Sequence, residues 1–145
     1  MADFWYTPMK QKLAKADADF DTMDLRGRLC MSDTTADTDQ DAATLSAITT
    51  VDAYDGSGYT DIDFAGITVT EDDPNNRSEI HVNAGTFGAT VGAGTRNIVG
   101  LLYYKYVDGT AANDLPVAWK DLTPFNGNGG AINFTENAEG VLQVG

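Results

Sequence analysis

Three aspartates at alternating positions, Asp37, Asp39 and Asp41, form the motif in this chain that most resembles a metal-binding loop. The same spacing opens the calcium loop of an EF-hand, in which carboxylate oxygens bind the ion. That loop also requires glycine at its sixth position and glutamate at its twelfth, where this chain has Ala42 and Ile48. The motif therefore predicts a solvated acidic loop, with a weak Ca²⁺ site of another type as the alternative. We predict that no metal or cofactor is required.

The other reactive side chains lack the partners that catalysis needs. His81 and Cys30 are the sole histidine and cysteine, and no serine lies in a nucleophile-elbow motif. Cys30 alternates with apolar neighbours, which predicts a buried and inert thiol. Asp61 and Asp63 share a strand face, but nothing apolar surrounds them to shift a pKa. The sequence therefore predicts a protein that is not an enzyme.

The pattern from Asp24 onward is typical of a mostly β fold. Apolar and polar residues alternate in about eight short runs separated by turn dipeptides, which favours an antiparallel β-sandwich or barrel over 24–145. The run "LLYYKYVDGT" (Leu101–Thr110) is apolar on both sides, as expected of a central strand. We expect Asn126–Gly130 to form a tight connection between two antiparallel strands. The predicted inward-facing residues are Leu29, Met31, Ile62, Phe64, Ile67, Val69, Ile80, Val82, Leu102, Tyr104, Val117, Trp119, Ile132, Phe134 and Leu142.

Residues 1–23 are predicted to form an N-terminal arm. Apolar residues at helical spacing over 9–20 indicate a short amphipathic helix, and "DFWYTP" precedes it. A helix this short is only marginally stable in isolation, so we expect it to pack against its own domain or against another protein. The second alternative predicts an interface formed by Phe4, Trp5, Tyr6, Met9, Lys10, Leu13 and Phe20.

The charge distribution separates the arm from the rest of the chain. Nine basic and 22 acidic residues give a net charge of −13, yet residues 1–28 hold five of each and are neutral. Such an acidic surface repels phosphate backbones, so we expect no nucleic-acid partner. No run approaches the roughly 18 apolar residues of a membrane span, and the first residues lack an apolar leader core. We therefore expect a soluble protein, made in the cytoplasm, with no membrane partner.

The C-terminal half has a strand followed by "DG", then a proline and an asparagine-glycine turn before two short strands. In this pattern it resembles a family of small tailed-bacteriophage virion structural proteins. This chain departs from the family pattern by reading "YVDGT" where the family has "DTG" and by its longer aromatic N-terminus. The matching residues are Tyr104, Lys105, Asp108, Gly109, Pro124, Asn128, Gly129, Gly130, Ile132, Gly140 and Val141.

The resemblance implies a capsid decoration (cement) protein that binds the shell of the major capsid protein. It would lie on the capsid surface of a virion and be synthesised in the cytoplasm of a bacterial host. Because icosahedral lattices offer three-fold positions, a homotrimer is the favoured oligomer. The alternative is a receptor- or glycan-binding β module of a phage head or tail fibre. That module would use the loops around Asp55–Tyr59 and Phe125–Gly130.

Overall fold

The computed structural model describes residues 3–144, which form antiparallel sheets and one short helix. The mostly β fold predicted from the sequence is confirmed. The described residues contain ten strands where the sequence predicted about eight, because four of them are only two residues long, too short for an alternating pattern. The helix α1 spans Thr7–Ala14. The strands are β1 (Phe4–Trp5), β2 (Leu25–Met31), β3 (Ile62–Asp63), β4 (Thr68–Asp72), β5 (Arg77–His81), β6 (Gly85–Thr86), β7 (Ile98–Lys105), β8 (Leu115–Phe125), β9 (Asn133–Phe134) and β10 (Leu142–Val144).

The largest sheet has five strands in the order β1-β8-β7-β2-β3, with every pair antiparallel. A three-stranded sheet, β10-β5-β4, and a two-stranded sheet, β6-β9, complete the described strands. The sheets do not close into a barrel, so the barrel alternative is not the one adopted.

The strand β7 lies at the centre of the large sheet, as its sequence predicted. Leu101, Leu102, Tyr103 and Tyr104 are all buried, although successive side chains of a strand point to opposite faces. One face of the sheet packs beneath α1 and the loop after β2, where Tyr6 reaches the carbonyl of Ala36. On the other face the Tyr103 ring stacks on Phe64, which in turn contacts Phe134 of β9, so both sides of β7 are excluded from water.

The predicted core residues are buried with four exceptions. Ile67, Ile132 and Phe134 are half-buried, and Val69 is 43% exposed. The prediction for Val69 was wrong because β4 is the edge strand of a small sheet and leaves both of its faces largely open to solvent. Alternation in a sequence marks two faces of a strand, but it does not say whether a second layer covers either of them.

Two predicted elements have different limits or partners in the structure. The helix ends at Ala14, before the predicted limit at residue 20, and Ala16 takes a left-handed conformation with φ of 56°. The Asn126–Gly130 segment does turn, with Gly129 at φ of 90°. The strand that follows pairs with β6, however, and not with β8. The expected hairpin between the two flanking strands is therefore absent from the described fold.

Candidate functional site

The aromatic residues before α1 form an edge strand of the large sheet. Phe4 lies opposite Trp119, and Trp5 lies opposite Ala118, in the β1–β8 ladder. The amide of Tyr6 extends this pairing by donating to the carbonyl of Val117 at 3.1 Å. Backbone hydrogen bonds thereby hold residues 4–6 of the predicted arm against the β domain.

Three of the predicted interface residues are buried inside their own domain. Tyr6, Met9 and Phe20 all belong to the core, and the Tyr6 hydroxyl donates to the Ala36 carbonyl at 2.6 Å. Burial raises the pKa of Tyr6 far above its usual value, so the hydroxyl stays protonated. These three side chains therefore pack on their own domain, which is the first of the two alternatives that the sequence left open.

Of the remaining predicted interface residues, Trp5, Lys10 and Leu13 border a shallow groove of about 360 Å³, and Phe4 lies outside its lining. The Trp5 indole donates to the backbone carbonyl of Gln143 at 2.9 Å, which fixes the ring beside β10. Trp5 also packs edge-on against Phe20 at 5.8 Å between ring centroids. Phe4 is half-buried nearby. We call this feature the N-terminal groove, and its lining residues are Trp5, Lys10, Leu13, Ala14, Gln143 and Val144.

On a protein that is otherwise acidic, the N-terminal groove has one cation in its lining, Lys10, and the same segment carries Lys12 and Lys15. Lys10, Lys12 and Lys15 are three of the five lysines in the chain. None of these three forms an ion pair with any residue between 3 and 144. An apolar groove beside unpaired cations can bind a surface that offers both apolar contacts and carboxylates.

The acidic loop uses one of its three aspartates for local structure. Asp39 accepts hydrogen bonds from the Thr35 hydroxyl and from the Thr49 amide, both at 2.7 Å, and these bonds lower the pKa of its carboxyl. Asp37 and Asp41 do not join it in a shared ligand set. Within the described range, no three His, Cys, Asp or Glu side chains converge as a metal site.

Cys30 has the buried environment that its apolar neighbours in the sequence predicted, whereas His81 is less open to solvent than expected of a histidine on the polar face of a strand. Cys30 is buried, and burial raises the pKa of its thiol to about 12, so the reactive thiolate is suppressed. His81 is half-buried between the carboxylates of Glu79 and Glu136, each 3.4 Å from a different ring nitrogen.

Asp61 accepts hydrogen bonds from three side chains in a network that sequence reasoning missed. The Arg28 guanidinium donates to Asp61 at 2.9 and 2.7 Å, and the hydroxyls of Tyr59 and Tyr104 each donate at 2.8 Å. The Tyr59 hydroxyl in turn accepts from the amide of Leu29 at 2.8 Å. The donors come from three separate parts of the sequence, so the only local signal was a pair of arginines, Arg26 and Arg28, within the buried strand β2.

Replacing Asp61 with alanine is expected to destabilise the protein by roughly 3 kcal/mol, since it leaves a half-buried guanidinium and two tyrosine hydroxyls without their acceptor. The matched control is Asp63→Ala, which removes a side chain that is 70% exposed and 3.9 Å from Arg26. We expect that control to change stability by less than about 0.5 kcal/mol. Chemical denaturation of both variants measures the difference, and equal stabilities would contradict the structural role of Asp61.

The two loops proposed for ligand binding meet at one end of the molecule, around Tyr54. The Tyr54 hydroxyl accepts from the amides of Gly94 and Gly127, each at 2.8 Å. It lies 2.9 Å from the Gly92 carbonyl and 2.5 Å from Asn126 Oδ1, either of which can take its proton. The sequence indicated turns here, but it gave no sign that one tyrosine would join them.

Comparisons with protein-family models, with curated proteins and with solved structures found no match to this chain. The structure itself defines the class of protein: a mostly β chain of antiparallel sheets with one short helix. Across residues 3–144, no helix combines the length and the apolar character required to cross a membrane.

Proposed function

We propose that this chain is a non-enzymatic structural protein of a bacteriophage virion that decorates the capsid by binding the major capsid protein. The observation that supports the proposal is the N-terminal groove, which combines apolar side chains with Lys10, a cation that forms no ion pair with residues 3–144, on a chain of net charge −13. The sequence resemblance to small phage virion proteins gives the groove its expected partner. The chain would act on the capsid surface, after synthesis in the bacterial cytoplasm.

Rigid positioning of the groove favours binding. Trp5 is held by the β1–β8 ladder and by the hydrogen bond from its indole to Gln143. A side chain that is already ordered loses less conformational entropy when a partner covers it. Tryptophan is also typical of the energetic centre of an interface, and a lysine at its rim attracts an acidic partner. The groove is therefore suited to a partner that presents apolar side chains and carboxylates.

The charge of the remaining surface favours free copies that stay apart until they reach the shell. Copies of net charge −13 repel one another in solution, and salt screens that repulsion beyond roughly 10 Å. A homotrimer at a three-fold position of the capsid would bring neutral N-terminal surfaces, and not acidic ones, against the shell.

The test measures binding of the full chain to shells of the major capsid protein from the phage that carries the gene. Lys10→Glu reverses an exposed charge, and Leu13→Asp places a carboxylate in the groove. We expect each variant to weaken co-sedimentation with shells by about tenfold, equivalent to about 1.4 kcal/mol, while the fold remains intact by circular dichroism. The matched control is Val107→Asp, at an apolar side chain that is 51% exposed and does not line the groove.

Three outcomes would contradict the decoration proposal. The first is full binding by both groove variants, and the second is an equal loss by Val107→Asp, which would reflect charge alone. Absence of the chain from purified virions by mass spectrometry would also overturn it.

A receptor- or glycan-binding β module is the second candidate, supported by the meeting of two loops around Tyr54. Backbone hydrogen bonds of 2.8–2.9 Å join Ser57 to Gly92, and Val91 to both Gly129 and Gly130. Phe125, beside these loops, is 36% exposed. Exposed aromatic rings can stack on sugar rings. In this case Phe125→Ala would reduce binding to a glycan array, whereas Leu13→Asp would leave that binding unchanged.

A further inference from the structure

A cavity of about 330 Å³ lies between one face of the large sheet and the segment 132–141 that crosses it. Its floor is formed by Leu29, Leu101 and Tyr103, and Phe87 also lines it, all with exposures of 3% or less. The crossing segment contributes further apolar side chains, including Phe134. Ligand sites are typically concave, mostly apolar and about 300–1,000 Å³ in volume, so this cavity lies at the small end of that range.

Tyr103 provides the cavity with an unused hydrogen-bond donor. The residue is 1% exposed, and its ring stacks on Phe64 at 5.7 Å. In contrast to Tyr6, Tyr54, Tyr59 and Tyr104, its hydroxyl has no hydrogen-bond partner among residues 3–144. Buried tyrosine hydroxyls normally have a partner, so an unpartnered one indicates a group that is missing from the protein chain alone.

The Tyr103 hydroxyl is in contact with open space. No unpartnered polar side-chain atom in the described part of the chain is completely enclosed, so this oxygen retains some access. Tyr103 lines the cavity, which is the space available to it. Burial raises the pKa of Tyr103 well above its usual value, and the nearby Asp3 and Glu136 carboxylates add to this effect. The hydroxyl is therefore a neutral donor at every physiological pH.

The charged groups near the cavity are already engaged. The Lys120 ammonium donates to Asp3 at 3.1 Å, and Glu136 accepts from the Val82 amide at 3.0 Å. Two carboxylates close to the Tyr103 hydroxyl disfavour an anionic ligand, and the apolar floor disfavours a cation. A compact uncharged molecule fits these conditions best.

We propose that this cavity binds a small uncharged molecule, apolar over most of its surface, whose single oxygen accepts a hydrogen bond from the Tyr103 hydroxyl. The site is separate from the N-terminal groove, and the proposal does not depend on the proposed function. The bound molecule would supply the hydrogen-bond acceptor that the Tyr103 hydroxyl lacks among residues 3–144.

The experiment uses two probes of similar shape, benzyl alcohol and ethylbenzene, titrated into the full chain and followed by ¹H–¹⁵N correlation spectra. Benzyl alcohol carries the accepting oxygen, and ethylbenzene has a methyl group in its place. We expect saturable shifts for residues around the cavity with both probes. Tyr103→Phe should weaken the binding of benzyl alcohol about fivefold to tenfold, because it removes only the hydrogen-bond donor. The same variant should leave the affinity for ethylbenzene unchanged.

Two further variants separate binding from folding. Ile132→Trp places a larger side chain in the cavity wall and should abolish saturable binding of both probes. Tyr103→Phe should keep or raise the melting temperature, since it removes a hydroxyl with no partner, whereas Tyr104→Phe loses a bond to Asp61 and should lower it. The proposal is overturned if wild-type protein shows no saturable shifts, if Tyr103→Phe binds benzyl alcohol as wild type does, or if it weakens both probes equally.

Discussion

Deleting residues 1–20 is expected to abolish the cooperative unfolding transition of this protein. The segment supplies the edge strand β1 and three buried side chains, Tyr6, Met9 and Phe20. Truncating one large core side chain costs about 3–5 kcal/mol, and a whole domain is stable by only about 5–15 kcal/mol. Removing all three, and exposing the edge of β8, leaves too little stability for a folded state. Thermal melts followed by near-ultraviolet circular dichroism measure the loss.

Point substitutions in the same segment separate its contribution to the core from any role at the surface. Tyr6→Ala should cost about 3–5 kcal/mol, while Tyr6→Phe should cost about 1–3 kcal/mol by leaving the Ala36 carbonyl without its donor. Lys10→Ala, at an exposed position on α1, is the matched control and should change the free energy of unfolding only slightly. A truncated chain with a sharp melt and dispersed spectra would show instead that the segment is a detachable arm.

Replacing Gly100 with alanine should destabilise the protein by about 3 kcal/mol or more. Gly100 lies in the central strand β7, and a Cβ atom added there would overlap three atoms of the Trp119 indole. The indole cannot move aside easily, because Trp119 is 1% exposed and its Nε1 donates to Asp121 at 2.7 Å. The requirement for glycine is steric, since Gly100 is not among the glycines with positive φ.

The matched control is Gly130→Ala, where an added Cβ would approach only the Asn128 side chain, at 3.2 Å. We expect that substitution to change stability by less than about 1 kcal/mol in urea denaturation. In a double-mutant cycle, Gly100→Ala should cost less in a Trp119→Phe background, because the overlapping ring is smaller. Equal losses for Gly100→Ala in both backgrounds would contradict the proposed overlap.

The three candidate surfaces can be tested with separate variants, of which only Phe125→Ala touches two of them, the loops around Tyr54 and the inner cavity. Leu13→Asp alters the N-terminal groove, Phe125→Ala alters the loops around Tyr54, and Tyr103→Phe alters the inner cavity. Phe125 also lies at the border of the cavity, so its variant is to be measured against the benzyl alcohol titration as well. A capsid partner and a small ligand are therefore separate predictions.

The sequence by itself determined the fold class and the centre of the main sheet. Alternation with a period of two is a local property, and it located the buried strand β2 correctly. Apolar residues on both sides of β7 predicted a strand covered on two faces, and Leu101–Tyr104 are buried on both. The burial of Cys30 followed in the same way from its apolar neighbours.

Only the tertiary structure decided which strands pair and where the polar networks and cavities form. β1 joins β8 across more than a hundred residues, β9 joins β6, and Asp61 gathers Arg28, Tyr59 and Tyr104 from separate strands and loops. The same is true of the cavity at Tyr103, whose floor lies on β2 and β7 and whose cover comes from the segment 132–141. Contacts of this kind depend on how layers pack, and packing is decided by residues far apart in sequence, which local periodicity does not encode.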